Sequence, residues 1–217
     1  MWTELLDRIN YQGTPNPDLT SLFQLHECHV RSVPFENLDI QNKVAIKLDL
    51  LHLYHKVVRF KRGGFCYELN HLFYHLLKEV GFELNMVSAR VFDENEPGPE
   101  YDHLTLIVFI ANKEWLADVG FGDLFVTPIE ITKEKVQFDG RNYFKLEKMG
   151  HSWLPWMSTD GDHYEKKYQF STIPRDIDEF RIKQYFWGYS TESTVCCFSQ
   201  ERELRSPGSL KSLTRAV

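Results

Sequence analysis

Arg62-Gly63-Gly64-Phe65-Cys66-Tyr67-Glu68-Leu69-Asn70 is the stretch on which the reading of this chain turns. Two adjacent glycines permit backbone angles that other residues avoid. Behind them Leu69, Leu72, Phe73, Leu76, Leu77 and Val80 recur at the i, i+3, i+4 spacing of an amphipathic helix, and Gly81 supplies its stop. Cys66 therefore falls at or just before the first turn of that helix. Partial positive charge gathers at a helix N-terminus and favours thiolate over thiol. An arbitrary cysteine is more often a small buried core residue. The glycine turn and the helix start are what direct this one toward chemistry.

Upstream, Asp18 suits the N-cap of a helix running to Val30, with Leu19, Leu22, Phe23, His26 and Val30 on one face. Pro34, in Arg31-Ser32-Val33-Pro34-Phe35-Glu36-Asn37-Leu38, cannot continue that helix. Residues 49–59 read as another short helix. Downstream the period changes. Met86 to Phe92 is rich in β-formers and is followed by a polar loop with Pro97, Gly98 and Pro99. Leu104 to Ile110 is a nearly continuous apolar run, Ala111-Asn112-Lys113 a turn, and Trp115 to Val119 a return strand. Tyr143–Leu146 and Tyr164–Phe170 are further strand candidates. No internal repeat is present. The fold class is α+β, a helical first part followed by an antiparallel sheet.

With 217 residues, 42% of them hydrophobic and 14% aromatic, the chain has ample material for a packed core. A net charge of −6 argues against nucleic acid as the main partner, since phosphate binding needs a basic stripe. No apolar run is long enough to span a bilayer, and Met1-Trp2-Thr3-Glu4 lacks the blocks of a signal peptide, so a cytoplasmic protein with no membrane partner is expected. The four cysteines, Cys28, Cys66, Cys196 and Cys197, form neither a disulfide framework nor the CxxC pairs of a zinc site. No metal is expected.

A reactive thiol needs a base and an orienting acid. His103 begins the apolar strand, and Asp118 lies near the end of the return strand. A turn at Ala111-Asn112 sets Asp118 opposite Thr105; a turn at Asn112-Lys113 sets it opposite Ile107. Side chains alternate along a strand, so His103, Thr105 and Ile107 share a face and both registers place His103 and Asp118 on the same side. In the first they are diagonal neighbours, roughly 7–8 Å apart at the backbone. Cysteine, histidine and aspartate in this order resemble the arrangement of papain-like and transglutaminase-like enzymes. The backbone N–H of Cys66 is a natural oxyanion donor.

Three separated motifs, Arg62-Gly63-Gly64-Phe65-Cys66, Val33-Pro34-Phe35-Glu36-Asn37-Leu38 and Asp118-Val119-Gly120-Phe121-Gly122, together with His103-Leu104-Thr105-Leu106, resemble those of the arylamine N-acetyltransferases from about residue 5 to about residue 190. The resemblance implies a helical domain over 1–82 carrying the cysteine and a β-barrel domain over 83–190 carrying His103 and Asp118, on a cysteine-protease-like core. A truncated α/β lid would follow, with 191–217 as its remnant or a mobile tail. It implies a Cys66-His103-Asp118 triad that takes acetyl from acetyl-coenzyme A and passes it to arylamines, arylhydrazines or N-hydroxyarylamines in a ping-pong reaction. Phe121, Val91 and Phe35 are implied to line the acceptor pocket, and Gly120 and Gly122 to lie along the pantetheine arm. Glu36 and Arg62, charged residues inside apolar motifs, are expected to pair and brace the cysteine loop.

Family members usually continue for several tens of residues past the point where the pattern fades, after Tyr189-Ser190. A shortened lid would open the coenzyme A cleft and leave apolar barrel surface available for self-association. Two other readings follow: a cysteine hydrolase, since an open acyl-enzyme admits water, and an inactive paralogue that binds aromatic ligands. The intact triad weighs against the second.

Overall fold

The computed structural model describes residues 1–187 except 94, 95, 123 and 134. The expected lid remnant or tail at 191–217, with Cys196 and Cys197, lies outside the described residues.

Helices come first: α1 Trp2–Arg8, α2 Leu19–Ser32, α3 Leu38–Gln41, α4 Leu50–Tyr54, a π-helical turn His55–Arg59, and α5 Cys66–Val80. Asp18 caps α2, its carboxylate accepting from the Ser21 N–H at 2.8 Å, and Val33 ends it in an extended conformation before Pro34. The buried face of α2 differs from the one read from spacing. Leu25 and His29 join Leu22 and His26 inside, while Leu19 is exposed. His26 and His29 pack against Phe73 of α5, and that contact sets the rotation. Gly81 closes α5 in the left-handed region, φ 103°.

Among the described residues ten strands follow: β1 Glu83–Asp93, β2 Glu96–Pro97, β3 His103–Ile110, β4 Lys113–Ala117, β5 Ile129–Glu130, β6 Gln137–Phe138, β7 Tyr143–Met149, β8 Ser152–Ser158, β9 Glu165–Lys166 and β10 Tyr168–Pro174. Helix α6, Ile177–Trp187, ends the described part. The sheet runs β5-β4-β3-β1-β10-β8-β7-β6, all antiparallel. Its two ends meet. Gln137 of β6 accepts from the Glu130 N–H of β5 and donates to the Glu130 carbonyl, both at 2.8 Å, so a side-chain amide replaces a backbone rung. A bridge between Lys133 and Leu146 adds to the closure. The result is a nearly closed barrel.

Two strand readings needed the tertiary structure. Tyr164–Phe170 is two strands, β9 and β10, interrupted at Lys167. β8 carries Pro155 in its middle, which obscures its strand pattern; Pro155 has no N–H to donate, and its carbonyl accepts from the Lys167 N–H.

Strand β3 joins the two halves. Leu104, Leu106 and Val108 belong to the core shared with the helices, and Ile107 to the core inside the barrel. Burial on both faces explains why this stretch reads as a continuous apolar run. Among the described residues no helix is long and apolar enough to cross a membrane.

Candidate active site

The cysteine loop is built from two motifs far apart in the sequence. Phe35 and Gly64 form a parallel bridge, and the Glu36 N–H donates to the Gly64 carbonyl at 2.9 Å. The contact is too close for any side chain at Gly63, where a Cβ would sit 1.8 Å from the Pro34 oxygen. A cluster of charges lies under the loop. Arg62 reaches Glu36 at 2.8 Å and Asp39 at 2.6 Å. Lys56, buried, reaches Asp39 and Glu68 at 2.7 Å each. Burial pushes the Glu68 carboxyl up while Lys56 opposes it. Glu68 also accepts from the Phe65 N–H, just before the first turn of α5. The cluster thus ends one residue short of Cys66, the first residue of the helix.

His103 and Asp118 reach the same place through the β3–β4 hairpin. Its turn is Ala111-Asn112, both residues left-handed at φ 51° and 61°, the two-residue loop that suits strand twist. Ile110 pairs with Lys113 and Leu106 with Ala117, which is the first of the two registers and sets Asp118 opposite Thr105. His103 Nε2 lies 2.7 Å from Asp118 Oδ2. That leaves Nδ1 for Cys66, the other side-chain partner of the imidazole.

Cys66, His103 and Asp118 are 3%, 2% and 2% exposed, so little water screens them. Burial lowers the pKa of His103, but Asp118 and Cys66 overcome it and hold the imidazole protonated up to about 10. Burial raises Asp118, yet His103, Asn70 and Tyr168 bring it below the usual carboxylate range. Four donors meet this carboxylate. Asn70 Nδ2 at 2.9 Å and the Gly120 N–H at 3.0 Å serve one oxygen, and His103 at 2.7 Å and the Tyr168 hydroxyl at 2.8 Å serve the other. A carboxylate so saturated stays ionised and keeps the ring in one orientation.

Phe121 stacks edge-on to His103, ring centroids 5.0 Å apart, and lies 5.1 Å from Tyr168. Val91 is buried in β1 opposite Tyr168, inside the barrel. Phe35 is half-buried beside the cysteine loop. At Gly120 a Cβ would meet Asn70 Nδ2 at 2.7 Å and Cys66 Cα at 2.8 Å, so the missing side chain is what lets the Asp118 loop lie against the cysteine. Gly122 differs: it is left-handed at φ 60°, and a Cβ there would meet open space. Among the described residues no group of three or more His, Cys, Asp or Glu side chains is placed to hold a metal ion.

Residues 18–201 match the family model described as N-acetyltransferase. The pineal gland arylamine N-acetyltransferase isozyme NAT-3 of Gallus gallus is 34% identical over 201 residues, covering 83% of this chain and 69% of that protein. This chain belongs to the arylamine N-acetyltransferase family. The Escherichia coli arylamine N-acetyltransferase is 32% identical over 182 residues, 83% of this chain and 64% of that one. The solved structure of the Mycobacterium marinum arylamine N-acetyltransferase in complex with CoA superposes with a TM-score of 0.83 at 30% identity, covering 90% of this chain and 74% of its own. The Salmonella typhimurium enzyme does so at 0.83 and 28%, covering 90% and 72%. The chain thus spans about two thirds of the length of these curated arylamine N-acetyltransferases.

Sequence reasoning missed the residues that hold this arylamine N-acetyltransferase site together. Asn70 is one turn into α5 from Cys66. Its amide nitrogen donates to Asp118 and the Leu104 carbonyl, and its oxygen accepts from the Val119 N–H at 2.9 Å. Its place one turn after the cysteine was a signal in plain view. His26 Nε2 accepts from the Asp118 N–H at 3.1 Å, so its protonated Nδ1 donates to the Val126 carbonyl, also 3.1 Å away. Nothing near His26, Lys56 or Tyr168 in the chain announces partners so distant.

The buried histidines make stability depend on pH. Burial lowers His26 to about 4, His29 to about 3 and His71 to about 4, against an ordinary value of 6.5. For His71 the neighbouring His75 and Arg181 add to the lowering. The unfolded chain therefore binds protons that the folded one refuses, and stability falls as pH drops below about 6.5, by roughly 1.4 kcal/mol per unit for each histidine. His103 acts in the opposite sense. Its raised value contributes stability that is present below about 6.5 and lost as pH rises through about 10. Denaturant melts followed by circular dichroism should show a maximum near pH 6.5, a decline toward pH 10 as the His103 contribution is lost, and acid unfolding complete by about pH 4. Stability unchanged from pH 7 to 4 contradicts this account.

Proposed function

We propose that this chain carries acetyl from acetyl-coenzyme A, through a thioester on Cys66, to the nitrogen of an arylamine or arylhydrazine. The observation that carries the reading is a buried His103 set between Cys66 and an Asp118 carboxylate that accepts from His103, Tyr168, Asn70 and the Gly120 N–H. Family membership and the CoA complex of the Mycobacterium marinum relative support it.

The Cys66 thiolate attacks the thioester carbonyl of acetyl-coenzyme A. The Cys66 N–H, at the first turn of α5 and without an intrahelical acceptor, stabilises the oxyanion. The tetrahedral intermediate collapses, the carbon–sulfur bond to coenzyme A breaks, and the His103 imidazolium protonates the leaving sulfur. The amine then attacks the acetyl-cysteine, and neutral His103 takes its proton. Cleavage of the Cys66 thioester restores the thiolate–imidazolium pair. Phe121, edge-on to the ring of His103, offers an aromatic surface to the acceptor. Val91 and Phe35 complete that pocket, and the open side of Gly122 beside Gly120 accommodates the pantetheine arm.

Water competes with the amine for the acetyl-cysteine, which is the hydrolase alternative. The test supplies radiolabelled acetyl-coenzyme A with and without an arylamine or hydrazine, and follows free thiol release. Transfer predicts label on the acceptor and thiol release that rises with acceptor. Label appearing as free acetate at an acceptor-independent rate replaces this reading with hydrolysis, and no release at all leaves an aromatic-binding paralogue.

A further inference from the structure

Helix α6 and the residues leading into it, none of them in the catalytic motifs, close against both the cysteine helix and the loop before His103. Phe180 is fully buried. Its ring meets Tyr67 edge-on at 5.1 Å and Tyr101 edge-on at 5.2 Å. Tyr67 is the residue after Cys66, and its hydroxyl donates to the Tyr101 carbonyl. Tyr101 is two residues before His103 and sits in the left-handed region at φ 64°. An aromatic residue keeps that conformation only where its surroundings over-determine it. Here they do. The Tyr101 hydroxyl donates to Glu179 at 2.6 Å, the Arg175 guanidinium lies 5.3 Å from its ring centroid, and Arg175 bridges Glu100 at 2.7 Å and Glu179 at 3.2 Å. The Arg175 N–H donates to the Met86 carbonyl of β1, which ties the assembly to the barrel.

We propose that Phe180, Glu179 and Arg175 form a strap that positions Cys66 relative to His103, by holding the Tyr67 and Tyr101 rings in a fixed spacing. The strap rests on the reading of Cys66 and His103 as a working pair. These are positioning residues: they touch the neighbours of the pair, not the reacting atoms. Loosening the strap lets the loop before His103 relax out of its left-handed turn, and the imidazolium then drifts from the sulfur. The thiolate loses its counter-charge while the fold and the acceptor pocket persist.

The test measures iodoacetamide alkylation of Cys66 against pH, read by mass spectrometry of the Cys66 peptide, together with kcat and KM for acetyl-coenzyme A. Variants are Phe180→Leu, Glu179→Ala and Glu179→Gln, with wild type and His103→Gln as references. The strap predicts that Phe180→Leu and Glu179→Ala lose about tenfold or more of the pH 6 alkylation rate. It also predicts that kcat falls with KM little changed, and that Glu179→Gln, which keeps an acceptor for the Tyr101 hydroxyl, recovers most of the loss. Glu179 is half-buried, so Glu179→Ala carries the test if Phe180→Leu does not fold. Alkylation that drops in His103→Gln but stays at the wild-type rate in Phe180→Leu and Glu179→Ala overturns the strap alone. Equal rates in wild type and His103→Gln overturn the pair itself.

Discussion

Cys66→Ala should lose acetyl transfer by roughly 10⁴-fold or more, because the proposed route runs through a thioester on the Cys66 sulfur. In the proposed mechanism Cys66, His103 and Asp118 act as one unit, so removing the sulfur would leave only binding and the oxyanion donor. Wild-type protein incubated with acetyl-coenzyme A and no acceptor should gain one acetyl group at Cys66, seen in the intact mass and lost on adding an arylamine. Cys66→Ala should gain none. His103→Gln supplies the complementary result. It should alkylate at pH 6 about a hundredfold more slowly than wild type, as an ordinary thiol is almost wholly protonated there. Full activity in Cys66→Ala ends the mechanism.

Gly63→Ala is expected to be the most damaging glycine-to-alanine change among the described residues. The added carbon would lie 1.8 Å from the Pro34 oxygen and 2.8 Å from its carbonyl carbon, so backbone must move. The segment that gives way is the Phe35–Gly64 bridge, and with it the alignment of Glu36 with Arg62 and of Glu68 with Phe65. A loss of about 3 kcal/mol or more follows from overpacking against backbone. In a chain of this size that is a fall in melting temperature of roughly 6–12 °C. Activity should fall with it, since the displaced loop carries Cys66. Gly13→Ala is the control. Gly13 is left-handed at φ 93° with open space around it, so its substitution carries conformational strain only, about 1–2 kcal/mol, and leaves activity intact. A Gly63→Ala protein that melts with wild type shows that the two motifs do not pair as described.

Much of the local structure was legible in the chain. Asp18 marks a helix start and Gly81 a helix stop, and each does so through atoms within a few residues of itself. Ala111-Asn112 makes a two-residue turn, and the alternation that follows places His103 and Asp118 on one face whichever register is taken. The burial of Leu25 and His29 in place of Leu19 was not legible, because the face a helix buries depends on what it meets; here that is Phe73. Strand β8 was missed for a related reason: Pro155 obscures its pattern, and the strand is held by neighbours from β7 and β10.

The sequence by itself determined the helix that begins at Cys66, the hairpin that carries His103 toward Asp118, and the tight glycine turn between the helical stretches. All of these depend on backbone angles and side-chain periods within a short window. Only the tertiary structure decided which partners reach the site. Asn70, His26 and Tyr168 meet Asp118 across 48, 92 and 50 residues of chain, Lys56 finds its carboxylates on two different helices, and Gln137 closes the barrel by standing in for a backbone rung. Buried polar groups must be satisfied, but the chain does not record by whom. That choice is made when the helices and the barrel pack against each other, and one donor then serves several acceptors, as Asn70 Nδ2 serves both Asp118 and the Leu104 carbonyl.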